Sequence, residues 1–490
     1  MRRAIVIAFQ RSGVLKTIIQ VANIFGLWLF SAVVSWGAER PNILFVFADD
    51  QCFETIGAFG HTEIETPNLD KLVAQGTTFT HAYNMGSWSG AVCVASRCML
   101  NTGRFIWHAN SIYSATEKER QEGRFWSEYM KKAGYHTYMS GKWHVRADAT
   151  KAFDTTGSVR GGMPQQVPEG YNRPLTPKDK RWLPDDPQWG GYWAGGKHWS
   201  EVVADDAIGF LDQAKQDDNP FFMYVAFNAP HDPRQSPKEY VDRYPLDGIE
   251  VPTNFLEEYP YNAAAATGRG LRDEKLAPFP RTEHSVKVNR QEYYAIITHM
   301  DHQIGRILDH LHATKQQRNT FIFFTADHGL AVGHHGLMGK QNMYDHSVRV
   351  PFMVVGPKVE KGVRVDTEIY LQDIMPTTLE LAEVEKPEHV EFNSILPILK
   401  GDQSVSCYDG IYGAYLQNQR SVRWNGYKMI LYPTIKKIRL YNLESDPLEQ
   451  HDLAEDESTL AIQKKLFARL LELQQDVGDK LDLKSNFFGG

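Results

Sequence analysis

Four long apolar runs, rich in aromatic and β-branched residues, constrain the fold of this chain more than any other feature. They read NILFVFADD at 42–50, HTYMSGKWH at 136–144, PFFMYVAFNAPHDP at 220–233 and NTFIFFTADHG at 319–329. Their hydrophobic residues are continuous rather than alternating, which is typical of strands buried on both faces. The runs therefore predict a parallel sheet covered by helices.

Stretches with helical periodicity lie between these runs. TPNLDKLVAQG at 66–76 begins at Thr66-Pro67 and places Leu69, Leu72 and Val73 on one face. The stretches at 201–215 and 292–311 also repeat apolar residues at helical spacing. The alternation of strand and helix predicts an α/β fold with a large, mostly parallel sheet sandwiched by helices.

Polar residues stand where each apolar run ends. Ligands of open α/β sheets bind beyond the carboxyl ends of the strands, so we expect these side chains to lie near one another. They are Asp49, Asp50, Lys142, His144, His231, Asp327 and His328.

The N-terminus predicts export from the cytoplasm. Basic residues precede an apolar run from Ile18 to Ala38 that contains no acidic residue, which is the pattern of a signal peptide over 1–38, cut after Gly37 or Ala38. The run also approaches the length that spans a membrane, so a retained anchor is the alternative. We expect a periplasmic or secreted protein.

Charge and cysteine content exclude two classes of protein. The chain has 53 Lys and Arg against 60 Asp and Glu, so no general attraction to nucleic acid is expected. Four cysteines at irregular spacing do not form a disulfide framework. We expect Cys52, Cys98 and Cys407 to be small buried thiols.

The composition changes after about residue 390. GYKMILYP at 426–433 and KKIRLYNL at 436–443 read as short strands, and an amphipathic helix follows around 460–473. We predict a smaller α+β C-terminal subdomain over 391–490, with a small antiparallel sheet and a terminal helix. The larger domain, which contains the four apolar runs, then covers 39–390.

The stretch CVASRCMLNTGR at 93–104 resembles the signature of the type I sulfatases. Segments in the same order as in that family follow and precede it, among them TPNLDKLVAQGTTFTHAY at 66–83, GKQNMYDHSVRVPFMVVGP at 339–357 and LYNLESDPLEQHDLA at 440–454. Ala95 stands where many members have Pro. The resemblance covers about 41–454 and implies the alkaline-phosphatase-like fold and hydrolysis of sulfate esters.

In that family the signature cysteine, here Cys93, is oxidised to Cα-formylglycine. The hydrated aldehyde offers one hydroxyl to attack sulfur and a second whose deprotonation releases sulfate, which avoids a stable sulfated enzyme. The resemblance also implies a calcium ion bound by Asp49, Asp50, Asp327 and the residue at 93. His328 is the further ligand that it implies, although nitrogen is an unusual partner for calcium.

The resemblance also assigns roles to five other residues. Arg97 would lie one helical turn after Cys93 and stabilise charge there. Lys142 and Lys340 match the lysines that bind sulfate. His144 matches the base that acts during sulfate release, and His231 matches the acid that protonates the leaving alcohol.

Taken singly, these residues have plainer readings. Asp49 and Asp50 can form a turn or helix cap, and a lone lysine is usually a solvated charge. His334 and His335 read as hydrogen-bonded loop histidines. The matched segments together are what favour catalysis.

A loop-rich insert at 157–199 carries Trp182, Trp189, Trp193 and Trp199. Aromatic faces beside polar groups suit sugar rings, but the same residues can simply anchor an irregular loop. We expect a sulfated carbohydrate substrate. The cations proposed to contact its anionic groups are Arg173, Arg181, Lys197, His198 and Arg234.

Two other functions remain open from the sequence. Related enzymes of the superfamily hydrolyse phosphodiesters or phosphonate monoesters, and a fold does not fix the reaction. A non-catalytic glycan-binding protein is the second alternative. The expected partner for the sulfatase reading is a formylglycine-forming enzyme or an anaerobic sulfatase-maturing enzyme.

Overall fold

A computed structural model gives the fold, and the structure describes residues 40–402 and 404–488. The predicted signal peptide lies outside the described residues, so its export and cleavage stay predictions. Within the described part of the chain, none of the helices combines the length and the hydrophobicity needed to cross a membrane.

The strands range in length from 2 to 10 residues. They are β1 (Asn42–Asp49), β2 (Thr77–Phe79), β3 (Ala82–Tyr83), β4 (Gly86–Ser87), β5 (His136–Lys142), β6 (Thr155–Arg160), β7 (Trp193–Ala194), β8 (Lys197–His198), β9 (Phe221–Pro230), β10 (Thr320–Ala326), β11 (Arg349–Val350), β12 (Phe352–Val355), β13 (Val363–Val365), β14 (Ile369–Tyr370), β15 (Ile411–Tyr415), β16 (Gln419–Trp424), β17 (Tyr427–Tyr432) and β18 (Lys437–Asn442).

The α-helices range from a single turn to more than eight turns. They are α1 (Pro67–Gln75), α2 (Val92–Thr102), α3 (Ile106–Ile112), α4 (Thr116–Gln121), α5 (Trp126–Lys132), α6 (Ala149–Ala152), α7 (Trp199–Ala214), α8 (Lys238–Val241), α9 (Asn262–Ala265), α10 (Glu283–Ala313), α11 (Asp345–Val348), α12 (Ile374–Leu381), α13 (Leu396–Leu399) and α14 (Leu460–Asp476).

The central sheet has eight strands in the order β13-β2-β12-β10-β1-β9-β5-β6. The four apolar runs form β1, β5, β9 and β10, which pair in parallel at the middle of the sheet. Only β12 runs antiparallel to its neighbours. The predicted mostly parallel sheet is confirmed.

Helices cover both faces of this sheet. One group consists of α1, α7 and α10, and a second of α2, α5 and α12. Trp126 on α5 packs against Phe45 and Phe222, and Phe210 on α7 packs against Tyr138. Strands enclosed in this way need apolar residues on both faces, which explains their continuous hydrophobicity.

The order of the strands brings their carboxyl ends together. Asp49 at the end of β1 lies beside Pro230 at the end of β9, and Ala48 pairs with Ala326, the last residue of β10. Lys142 ends β5, the next strand along. The polar residues predicted to meet at this edge are therefore adjacent.

A second sheet has the order β18-β17-β16-β15-β4. Its four C-terminal strands are antiparallel, while β4, from far earlier in the chain, adds in parallel beside β15. The tail helix α14 packs on this sheet and begins at Leu460, as its amphipathic pattern predicts. The division of the chain into domains at residue 390 stays a prediction.

Candidate active site

Three carboxylates and one thiol meet at the carboxyl edge of the central sheet. Asp49 ends β1, Asp50 follows it, and Asp327 follows β10. Cys93 Sγ donates to Asp49 Oδ1 at 3.2 Å and to Asp50 Oδ1 at 3.6 Å. One potential ligand atom from each of the four residues lies within 4.8 Å of the others, and all four are buried.

Local backbone geometry brings these groups together. Asp50 has a φ of 70°, which turns the chain immediately after β1, and its N–H donates to Asp327 Oδ1 at 3.1 Å. Helix α2 begins at Val92, so Cys93 lies in its first turn. The partial positive charge of a helix N-terminus therefore lies beside the carboxylates.

Two buried lysines accompany the carboxylates. Lys142 pairs with Asp49, while Lys340 pairs with Asp50 and donates to Cys93 Sγ at 3.2 Å. Burial alone would lower the pKa of both ammonium groups, but the adjacent carboxylates raise the pKa of Lys142 and raise that of Lys340 well above its usual value. Both lysines are therefore positively charged.

Arg97 lies one turn along α2 from Cys93 and is fully buried. Its Nε donates to Asp327 Oδ2 at 3.0 Å and its Nη1 to the Lys142 carbonyl at 2.7 Å. The guanidinium lies over the Phe47 ring, 4.7 Å from its centroid. Among the described residues, Nη2 has no hydrogen-bond partner, although it lies 3.8 Å from Asp49 Oδ1. A donor is thus available beside the cluster.

His144 follows the end of β5 with a φ of 54°, in the left-handed region. Burial, followed by the charges of Lys142 and Arg97, lowers the pKa of this imidazole to about 3. Its buried Nδ1 has no hydrogen-bond partner among the described residues. His144 is therefore a neutral imidazole.

His231 follows β9 and is oriented by the residue after it. Its Nδ1 lies 2.8 Å from the backbone oxygen of Asp232 and 3.1 Å from Asp232 Oδ1. Arg272 in turn pairs with the Asp232 carboxylate. With Nδ1 donating to Asp232, Nε2 is left on the side of Asp50, whose Oδ2 lies 3.6 Å away.

Four of the predicted catalytic residues described above line a cavity of 420 Å³, called here the active-site pocket. Cys93, Lys340, His144 and His231 lie along it. The remaining lining is Gly90, Ala91, Gly162, Met163, Leu271, Arg272, Asp273 and Gln341. These four catalytic candidates therefore share one space that can admit a ligand, whereas Arg97 and Lys142 are not among its lining residues.

The electrostatics of the cluster suit a cation. Burial and the neighbouring charge of Asp49 raise the pKa of Asp327 to about 6, because like charges are confined together. Hard divalent cations prefer carboxylate oxygen, and three carboxylates converge here. A divalent ion would relieve their repulsion, so the donor set fits a metal.

His328 is not part of either potential metal-binding group found among the described residues. Its Nδ1 lies 3.1 Å from the Gly329 carbonyl, and its buried Nε2 has no hydrogen-bond partner among these residues. Burial lowers its pKa to about 3, so the ring is neutral. Its role as a metal ligand stays a prediction.

Comparison with known proteins identifies the family. The sequence profile described as Sulfatase matches residues 41–384, more than half of the chain, and the profile described as N-sulphoglucosamine sulphohydrolase, C-terminal, matches 333–476. The chain belongs to the sulfatase family. It is a sulfuric ester hydrolase, of a family that generally uses formylglycine and a divalent metal.

Individual sulfatases are similar over most of their length. An arylsulfatase of Clostridium perfringens is 28% identical, with 85% of this chain and 91% of that protein covered. An N-acetylglucosamine-6-O-sulfatase of Bacteroides thetaiotaomicron is 24% identical, with 90% and 87% covered. A solved structure in complex with D-glucosamine-2-N,6-O-disulfate shares the fold with a TM-score of 0.71 and 22% identity, covering 91% of this chain and 100% of that chain.

The structure brings most of the predicted sulfatase residues into one site. The group consists of Asp49, Asp50, Cys93, Arg97, Lys142, His144, His231, Asp327 and Lys340. Their proximity is an observation, and their roles in turnover stay predictions. His328 is adjacent in sequence but outside the potential ligand groups.

The cations expected to contact the substrate do not line the active-site pocket. Each makes contacts elsewhere: Arg173 with Glu292, Arg181 with Asp179, Lys197 with Asp205, His198 with Ser200 and Gln235, and Arg234 with Asn289. Contact of these residues with a substrate stays a prediction, and Arg234 keeps Nε and Nη2 without a hydrogen-bond partner among the described residues.

The tryptophans of the insert also serve packing. Trp182 is buried beneath the Arg173 guanidinium, 3.9 Å from the ring centroid, and Trp193 packs edge-on against His198. Trp199 lies under Arg160, with 4.1 Å to the ring centroid. None of the four tryptophans lines the active-site pocket. Both interpretations of the insert, a platform for sugars and an anchor for the loop, stay predictions.

The remaining cysteines and histidines largely follow expectation. Cys52 and Cys98 are buried, but Cys407 is exposed, because it lies in the segment between α13 and β15 rather than in a packed element. The prediction for Cys407 was wrong. His334 contacts Glu54 and Asn254, and His335 stacks on Tyr344.

Sequence reasoning missed several residues in the pocket or in contact with its lining residues. Asp232 adjoins the predicted acid His231, so its position in the APHDP segment was the available signal. Arg272 and Asp273 are consecutive residues of one segment, whereas Gln341 comes from another, and Gln341 Nε2 donates to Asp273 Oδ2 at 2.6 Å. No local pattern marks such a rim.

Proposed function

We propose that this sulfatase removes sulfate from a sulfated carbohydrate, using Cα-formylglycine formed from Cys93 and a calcium ion. One observation carries the proposal. Cys93 lies at the point where three carboxylates, the ammonium of Lys340 and the N-terminal turn of α2 meet, on the wall of a pocket. A modified side chain at that position would be reachable by a bound sulfate ester.

Asp49, Asp50 and Asp327 would hold the calcium ion, with residue 93 beside it. When present, the hydrated formylglycine supplies the nucleophilic hydroxyl, and the calcium ion neutralises charge on sulfate. Calcium binding needs buried carboxylates, and sulfate binding needs cations beside them. The contacts of Lys142 with Asp49 and of Lys340 with Asp50 provide both.

The protein's own cations have distinct tasks in this scheme. Lys340, next to Cys93 Sγ, would bind the sulfate oxygens inside the pocket. Lys142 would support them from the end of β5. Arg97, fixed by Asp327 and the Lys142 carbonyl, would aim its unpartnered Nη2 at charge developing near residue 93. Donors fixed in advance stabilise such charge without reorganising.

The two histidines have contacts that suit opposite proton transfers. His231 has its Nδ1 at Asp232, so a proton on Nε2 would be given to the oxygen of the leaving alcohol. His144 is neutral, and would accept the proton whose removal accompanies sulfate release. Both rings line the same pocket, so one substrate can meet both in turn.

The rim of the pocket supports a carbohydrate as the alcohol. Arg272, Asp273 and Gln341 offer charged and amide groups in a connected network, which is the chemistry that binds sugar hydroxyls. Relatives are named for N-acetylglucosamine-6-O-sulfate and for ulvan, both sulfated sugars or glycans. Export to the periplasm or beyond, and modification by a formylglycine-forming or anaerobic sulfatase-maturing enzyme, complete the proposal.

The test is sulfate release by the protein produced with a formylglycine-forming enzyme. We expect turnover of 4-nitrophenyl sulfate and of at least one sulfated glycan, with a higher kcat/KM for the glycan. Cys93→Ala should abolish it, while Cys98→Ala, a buried cysteine in the same helix, should keep it.

Two other outcomes would change the assignment. Comparable kcat/KM values on phosphonate monoesters or phosphodiesters would favour phosphoryl chemistry. Undiminished turnover by Cys93→Ala would refute the proposed nucleophile, and glycan binding without any turnover would favour a non-catalytic binding protein.

A further inference from the structure

A second cavity, of 300 Å³, adjoins the active-site pocket and is called here the side cavity. It lies between the loop that follows β5 and the end of β6, and its lining includes Tyr113, Arg146, Asp148 and Arg160. His144 lines both spaces. A ligand with its sulfate at Cys93 would therefore need to extend only past His144 to enter the side cavity.

Two guanidinium groups of the side cavity are stacked on aromatic rings. Arg146 lies over Tyr113 with 4.6 Å to the ring centroid, and Arg160 lies over Trp199 with 4.1 Å. Stacking fixes the plane of a guanidinium and leaves the N–H groups at its edge free to donate. Both charges are thus held in place before a ligand arrives.

Neither arginine has its charge compensated by a carboxylate. In the ranges 40–402 and 404–488, no ion pair is formed by Arg146 or Arg160. Nη1 of Arg160 is buried and without a hydrogen-bond partner in those ranges. Buried donors are rarely left unsatisfied in native proteins, and this N–H group belongs to a residue that lines the side cavity, so it can donate to an anion bound there.

Asp148, the acidic residue that lines the side cavity, interacts with Thr150 and Lys151. Asp148 Oδ1 accepts from the N–H and the hydroxyl of Thr150, and Oδ2 lies 3.6 Å from Lys151 Nζ. Asp148 therefore caps α6 rather than neutralising the arginines. The balance of charge in the side cavity is positive, in a protein whose net charge is negative.

We propose that the side cavity is a subsite for an anionic group, a sulfate or a carboxylate, on the sugar next to the one that carries the scissile sulfate. This inference rests on the proposed function, because it takes the active-site pocket as the place of sulfate cleavage. The planar N–H pairs of Arg146 and Arg160 match the oxygens of such a group. The enzyme then recognises two consecutive units of a polyanionic glycan.

Arg146→Gln is the primary test, because the residue is exposed and its replacement leaves the core intact. On matured protein, kcat/KM for an anionic oligosaccharide should fall about tenfold more than kcat/KM for 4-nitrophenyl sulfate. Arg160→Gln should show the same selective loss. Arg318→Gln, an exposed arginine just before β10, should leave both values unchanged. Equal losses on the two substrates would overturn the proposal.

Binding separates the subsite from turnover. Unmodified protein is titrated calorimetrically with tetrasaccharides from heparin, chondroitin sulfate and κ-carrageenan. We expect at least one to bind, with an affinity about tenfold weaker for Arg146→Gln than for the wild type. Equal affinities, or no binding of any tetrasaccharide, would refute the subsite. Failure of sulfate release with this binding difference retained would reject only the proposed function.

The same titration identifies the anion. Carboxyl-reduced heparin tetrasaccharide retains its sulfates, so loss of the difference between wild type and Arg146→Gln on that probe assigns the subsite to a uronate carboxylate. A retained difference, or one seen with κ-carrageenan, assigns it to sulfate.

Discussion

Among single residues, Gly162 is important for the site because it packs closely against the ring of His144. A Cβ atom added to Gly162 would lie 3.1 Å from Nε2 of His144, and the Gly162 carbonyl accepts from Asn228 Nδ2 at 3.3 Å. The ring therefore has little room on that side. His144 already has a left-handed φ, so it has few other positions to adopt.

Gly162→Ala should consequently displace His144 and lower kcat on 4-nitrophenyl sulfate about tenfold. Its neighbour offers a control, because a Cβ atom at Gly161 meets nothing within 4 Å. Gly161→Ala should keep kcat on this small substrate. Equal values for the two variants would show that the packing against His144 has no catalytic consequence.

Much of the site could be predicted at this scale. Cys93, Arg97 and the three aspartates stand in motifs whose chemistry is specific, and the fold does bring them together. Arg146 and Arg160 stand in no such motif, and a sequence does not show which arginines form no ion pair with a carboxylate. The exposure of Cys407 could not be predicted from the sequence either, because it depends on where the segment that contains this residue packs.

At the level of secondary structure, β5 brings Lys142 to the cluster beside an irregular pairing with β6 and a close backbone contact with β9. The register with β6 shifts between Met139 and Gly141, and Gly141 has a φ of 96°. A Cβ atom there would lie 1.8 Å from the carbonyl oxygen of Ala226 on the neighbouring strand β9. Only glycine fits this close approach of two backbones.

Gly141→Ala should therefore destabilise the protein by more than about 3 kcal/mol, since both φ and the backbone contact oppose a side chain. Gly134→Ala is the matched control, with a φ of 84° and open space around the added atom. It should cost about 1 kcal/mol, from φ alone. The shift in thermal midpoint measures both, and similar shifts would contradict the contact argument.

At the scale of the whole molecule, buried ion pairs join the second sheet to the loops of the catalytic site. Lys428 on β17 pairs with Asp345, which begins α11, and with Glu449 at 2.7 Å. Arg423 on β16 approaches Asp345 at 3.7 Å. The parallel strands were predictable from their hydrophobicity, but the addition of β4 to a sheet built from residues beyond 410 was not, because pairing so distant in sequence leaves no local pattern.

Lys428→Met should destabilise the protein by about 3 kcal/mol, because it removes the cation that pairs with buried Glu449 and one of the cations that pair with Asp345. Lys437→Met removes a lysine of β18 whose partner, Glu455, is largely exposed. That change should cost less than about 1 kcal/mol. Urea unfolding of the two variants gives the comparison, and equal costs would argue against a structural role for the buried pairs.

In the proposed mechanism Cys93 becomes the catalytic aldehyde, and the mass of the tryptic peptide that contains residue 93 shows whether it does. The protein is produced with a formylglycine-forming enzyme and digested, and the peptide is treated with a hydrazide. We expect a peptide in which an aldehyde replaces the thiol and forms the hydrazone. For Arg97→Ser we expect no aldehyde peptide, because the formylglycine-forming enzyme would no longer recognise the signature. An unmodified thiol at Cys93 in protein that still releases sulfate would contradict the proposed mechanism.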